Sequence, residues 1–169
     1  KTKKMSATNI ADWMEYWDTF DKDLYNQSDP PAKKAMIKWL NLNGYVNIDD
    51  RETMSFDLVC NKIDHDVSTI KPKEYFYEVE IKYSWKGKWP EHWKDIRIPF
   101  RKKKLIDRWQ KEFPNDKLTF VVFRNDCKQA WHISGKTVAE SEIKKAYGPN
   151  TRNENYFHIN VEDARLVDM

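Results

Sequence analysis

The stretch YFYEVEIKYSW, from Tyr75 to Trp85, constrains the fold more than any other part of this chain. Read as a β-strand, its side chains alternate between two faces. Tyr75, Tyr77, Val79, Ile81 and Tyr83 make one face apolar or aromatic throughout, which predicts a strand packed on a core. Phe76, Glu78, Glu80, Lys82 and Ser84 make the other, so two carboxylates and an ammonium stand side by side on a strand that a core must hold. Charge near a core carries a desolvation cost, which marks this face as a candidate site.

The surrounding elements follow from periodicity. Ile10, Trp13, Met14, Trp17, Phe20 and Leu24 recur at helical spacing and predict a first helix from about Asn9 to Asn26. A second helix follows, with Asp29 as N-cap, Pro30 at its first position, Ala32, Ala35, Met36, Trp39 and Leu40 as its buried stripe, and Gly44 after its end. YVNI and MSFDLVC read as strands, IDHDVSTIKPK as a connection, and WKGKWPEHWKDIRIP as a loop rich in Trp and Lys. Phe100 to Phe113 reads as a helix with Leu105, Ile106 and Trp109 inward. KLTFVVF and QAWHIS are strands, VAESEIKKAYG is a short helix ending at Gly148, and YFHINV is a last strand. This order predicts an α/β chain with a central mixed sheet flanked by helices.

At 169 residues, with 40% hydrophobic residues, the chain reads as a single domain with a real core. It contains no run of about 18 apolar residues to span a membrane. KTKKMSATN carries no apolar run after it and does not read as a secretory signal. Cys60 and Cys127 are distant and form no CxxC, which argues against a disulfide framework or zinc ribbon and for a reducing, cytoplasmic setting. No glycine-rich phosphate loop or nucleophile elbow is present.

Asp57, in SFDLVC, lies among apolar residues 23 positions before Glu80. If the two strands are neighbours, Asp57, Glu80 and Lys82 converge at one end of the sheet. Two carboxylates in a small space need a cation at neutral pH, and hard oxygen ligands suit Mg²⁺ or Mn²⁺. Such an ion acidifies water and neutralises phosphate charge, while Lys82 can hold the water or the phosphate. These are the parts for hydrolysing a phosphodiester.

FDLVC followed by VEIK resembles the signature of the PD-(D/E)XK, or restriction-endonuclease-like, nuclease superfamily. The resemblance covers about residues 29–123, with 1–28 as an added N-terminal helix and 124–169 completing the domain. It implies a core of helix, three strands, helix and strand, and metal-dependent cutting of DNA that leaves a 5′-phosphate. It implies Asp57 and Glu80 as metal ligands, the Ile81 carbonyl as a further ligand, and Lys82 as the catalytic lysine. Phe56 stands where the signature has proline, and DPPAKK where the family often has a glutamate; Asp29, Glu15 or Glu78 is the candidate additional acid. DCK (Asp126 to Lys128) and EIK (Glu142 to Lys144) also match acid-x-Lys, but one falls in a turn and the other in a polar helical stretch.

Trp85 to Lys104 holds eight basic and two acidic residues, a local +6 in a chain whose net charge is +3. This segment, directly after the candidate strand, is the expected phosphate-binding surface, with Lys86, Lys88, Arg97, Arg101, Lys102 and Lys103 as contacts and Trp85, Trp89 and Trp93 available to stack on bases. His92 is a further candidate phosphate contact, Asp64-His65-Asp66 a weaker metal cluster, and His132 a structural histidine. A module of the same fold that binds nucleic acid without cutting, and a Trp-rich face for a protein partner, are the alternatives. A homodimer would let one site per chain cut both strands.

Overall fold

A computed structural model describes residues 22–52, 54–63, 73–82, 89, 93–145 and 154–169, with 22–29 at the backbone only. Helix α1 (Lys22–Leu42) leads into strands β1 (Tyr45–Asp49), β2 (Leu58–Lys62) and β3 (Glu74–Lys82). Strand β4 (Asp95–Pro99) follows, then a 3-10 turn (Phe100–Lys102) and helix α2 (Lys103–Glu112). Then come β5 (Lys117–Arg124), β6 (Gln129–Ser134), helix α3 (Gly135–Glu140), β7 (Glu142–Lys145), β8 (Asn155–Asn160) and β9 (Arg165–Asp168). The fold is mixed α/β. A six-stranded sheet has the order β1-β2-β3-β5-β6-β9, and a three-stranded sheet has the order β4-β8-β7.

In the large sheet β1, β2 and β3 run antiparallel, β3 and β5 pair in parallel, and β5, β6 and β9 are antiparallel again. Helices flank it. β5 sits centrally, and its LTFVVF run is apolar on both faces because both are covered. Leu118, Phe120 and Val122 face a core shared with Ile96 and Ile98 of β4, Phe157 and Ile159 of β8, Ile106 of α2 and Val138 of α3. Val121 and Phe123 face a second core, built with Ala32, Met36 and Leu40 of α1. Those three α1 residues recur at four-residue intervals and are fully buried, the spacing that aligns one helical face. Gly44 takes φ +83° in the turn that ends this helix, a conformation a side chain would strain.

Several elements depart from expectation. Most of the expected Asn9–Asn26 helix lies outside the described residues. Asp29 does not begin a new helix: α1 runs from Lys22 through Pro30 and Pro31. Proline's fixed φ is itself helical, so the helix continues although two ring nitrogens donate no hydrogen bond. The expected loop 85–99 contains β4, where Ile96 and Ile98 point into the core and alternate with Asp95 and Arg97. The expected helix through Gly148 stops at Glu140, where Ser141 turns extended and its hydroxyl donates to the Val138 carbonyl. Glu142–Lys145 is instead an edge strand held to β8 by main-chain pairing, exposed on every residue and so without a core signal. β9, exposed except at the half-buried Val167, closes the far edge of the large sheet. Among the described residues no helix is long and apolar enough to cross a membrane.

Candidate active site

β2 and β3 pair with Leu58 opposite Tyr77, so Asp57, one residue earlier, stands across from Glu78. Two bonds from main-chain amides to these carboxylates tie the segments together. The Asp57 N–H donates to Glu78 Oε2 at 2.7 Å, and the Val79 N–H donates to Asp57 Oδ2 at 2.9 Å. Lys102, at the end of the 3-10 turn, donates from Nζ to Glu78 Oε1 at 2.7 Å. Glu78 is 3% exposed and Asp57 9%. The face expected to carry charge beside a core is covered by the second sheet and the start of α2.

Burial sets the electrostatics. It raises the Glu78 carboxyl to about 7; the Lys102 ammonium opposes this and the Asp57 charge adds to it. Asp57 is raised as well, again by burial, against the pull of Lys102 and of the Val79 N–H. Burial works against the charge on Lys102, but Glu78 and Asp57 together outweigh it and raise its pKa. Two carboxylates facing one ammonium therefore retain a proton toward neutral pH.

Two residues further along β3 the environment opens. Glu80 and Lys82 keep 26% and 23% of their side-chain surface exposed. Lys82 Nζ lies 3.2 Å from Glu80 Oε1, and it donates to the Arg97 carbonyl of β4 at 3.2 Å. Glu80 Oε1 is buried and accepts no hydrogen bond, so its contact with Lys82 is an ion pair without hydrogen-bond alignment. Asp57 gives one oxygen to Val79. Among the described residues no three of His, Cys, Asp and Glu come together to hold a metal ion.

Of the expected site, Glu78, Glu80 and Lys82 thus share one face of β3, and Asp57, in the bend just before β2, stands across from Glu78. Ile81, between the two charged residues, packs against the α1-side core. Lys102 is tied to Glu78, and Lys103 pairs with Asp107 at 2.8 Å on the surface of α2. Arg97 is half-buried on β4, and Arg101 is exposed. Glu15, Lys86, Lys88, His92, Trp85 and the Asp64–Asp66 cluster lie outside the described residues, as does the side chain of Asp29. Trp89 and Trp93 stack on each other at 5.4 Å and meet Trp131, so these two rings already have aromatic partners. His132 is buried against Trp39, with burial and then Arg165 lowering its pKa to about 4. EIK at 142 lies on the β7 edge, and DCK at 126 in a turn where Asp126 pairs with Arg124 at 2.8 Å.

What the sequence did not announce is the pairing of Glu78 with Lys102. The available signal was an acid between Tyr77 and Val79, on a strand about to be covered on both sides. No family model, curated protein or solved structure matches the chain.

Proposed function

We propose that this chain is a metal-dependent DNA endonuclease of the PD-(D/E)XK kind. The observation that carries the reading is the convergence of Asp57, in the bend before β2, with Glu78, Glu80 and Lys82 on one face of β3, where Glu80 and Lys82 pair at the partly open end. The order α1, β1, β2, β3, α2, β5 supports it in part, because the resemblance implies helix, three strands, helix and strand; β4, which belongs to the smaller sheet, is an additional strand before α2.

A divalent ion fits these residues in a limited way. Glu80 Oε1 accepts no hydrogen bond, and only one oxygen of Asp57 is engaged among the described residues. Asp57, Glu80 and the Ile81 carbonyl would hold Mg²⁺ or Mn²⁺, which would supply charge neutralisation on the scissile phosphate and a more acidic water. Lys82, steadied by the Arg97 carbonyl, positions the water or a phosphate oxygen. Lys102 keeps Glu78 paired and so fixes the β2–β3 junction on which Asp57 stands.

Supercoiled plasmid, linear duplex, single strand and four-way junction would be incubated with Mg²⁺, Mn²⁺, Ca²⁺ or EDTA. Cutting should require Mg²⁺ or Mn²⁺ and fall at least about a hundredfold in Lys82→Ala and Asp57→Ala. Cutting that persists in both variants would refute the assignment. One observation favours a second reading, a module that binds nucleic acid without cutting: both Glu78 oxygens are already occupied by protein donors. Pure wild-type protein that binds DNA and cuts none of these substrates with any ion would select it.

A further inference from the structure

The sheet has a second end, and its chemistry is the reverse of the first. The start of β1, the end of β2, and the starts of β3, β5 and β9 meet there with the end of β6. This end, with α1 on one face and α2 and α3 on the other, opens into a cleft of about 550 Å³, within the size range of small-molecule sites. Measured along β3, Tyr75 in the cleft is seven residues from Lys82, about 23 Å. Tyr75 and Lys82 also point to opposite faces of the sheet.

The walls are aromatic. Trp39 of α1 lies 6.1 Å from Tyr45, and Tyr45 meets Tyr75 edge-on at 5.4 Å. All three line the cleft and are half-buried, so each keeps some ring surface for a ligand. The rim is cationic. Lys62, Lys117, Lys136 and Arg165 come from four different elements, are exposed, and line the same opening. None of the ion pairs among the described residues uses any of the four, although Lys62 Nζ lies over the Tyr45 ring, 5.4 Å from its centroid. No Asp or Glu is among the described residues lining the cleft. His132 at its floor is held neutral by burial.

Four cations without carboxylates ask for an anion of more than one charge, and ring faces beneath them ask for a flat apolar body. A base carrying phosphate combines the two. We propose that this cleft binds a nucleotide, with the base against Trp39, Tyr45 or Tyr75 and the phosphate on the lysines and Arg165. The nucleotide can be free or part of a single strand. The proposal stands apart from the nuclease reading, because it uses none of the residues of that site.

The test is fluorescence anisotropy of a labelled ten-nucleotide dT strand with the full chain in EDTA, with UMP as competitor. The double variant Lys117→Gln/Arg165→Gln changes only exposed residues and should remain folded. It should weaken binding at least about tenfold and reduce the slope of log affinity against log salt by about 1.4, the value for two phosphate contacts to a single strand. A strand carrying 5-iododeoxyuridine should crosslink under ultraviolet light to Trp39, Tyr45 or Tyr75. Competition by UMP assigns the site to a free nucleotide, and competition by unlabelled dT strand alone assigns it to a strand. Undiminished affinity in the double variant, crosslinks confined to residues 85–104, equal competition by poly-glutamate, or no binding at all would overturn the proposal. Because the readout is binding without metal, loss of the nuclease reading leaves this result standing.

Discussion

Glu78 holds its proton up to about pH 7 in the folded chain, whereas an unfolded glutamate releases it near 4.5. Between those values the folded state binds more protons, so its stability falls as pH rises. The melting temperature of wild type should therefore drop relative to Glu78→Gln between pH 5 and 7.5, and a constant difference across that range would contradict the burial argument. Lys102→Met leaves Glu78 buried without its cation and should cost about 3 kcal/mol in urea unfolding at pH 8. Adding Glu78→Gln should recover most of that loss. At this scale Glu80 and Lys82 were legible in the sequence as charged residues set in a strand, whereas Asp57, expected inside the strand MSFDLVC, stands in the bend just before β2, which begins at Leu58. The Glu78–Lys102 pair was not, because 24 residues separate the partners and only the folding of β4 and the 3-10 turn over the sheet brings them together.

Among the elements, α1 offers the sharpest test. Pro31 is exposed and lies inside the helix, where proline removes a hydrogen bond. Pro31→Ala should raise stability by about 1 to 3 kcal/mol and increase helical circular dichroism; no gain would mean that a helix begins at this proline. Elements with buried stripes were readable: β3 and β5 from their apolar faces, α2 from Leu105, Ile106 and Trp109, and the second half of α1 from its four-residue repeat. β7 and β9 were not. All their side chains but that of Val167 are exposed, so their partners' main-chain groups define them rather than any alternation of their own. β4 was hidden differently, as five residues at the end of a segment dominated by tryptophan and lysine.

At the scale of the molecule, the large sheet separates two cores that, among the described residues, share no residue. Met36, fully buried, belongs to one, and Ile98, 1% exposed, to the other. Met36→Ala should cost about 3 kcal/mol and Ile98→Val about 1 kcal/mol. The double variant should lose their sum to within about 0.5 kcal/mol, since the residues belong to separate cores on opposite faces of the sheet. A larger deviation in denaturant titrations would show that the sheet transmits strain between its faces. The mixed α/β class followed from element order alone. The division into two sheets did not, because β4 leaves the large sheet to pair with β8, which lies more than fifty residues later.

The bonds that brace the candidate active site have a consequence for how such a chain can change over evolutionary time. Lys82 is anchored by the carbonyl oxygen at position 97, Glu78 accepts from the amide at 57, and Asp57 accepts from the amide at 79. Every residue type carries a main-chain carbonyl, and every one but proline an amide hydrogen. Position 79 can therefore exchange one apolar side chain for another, and position 97 almost any, while the acids and the lysine stay braced. Among descendants of this chain, pairwise covariation would miss these three ties, although each is a direct contact.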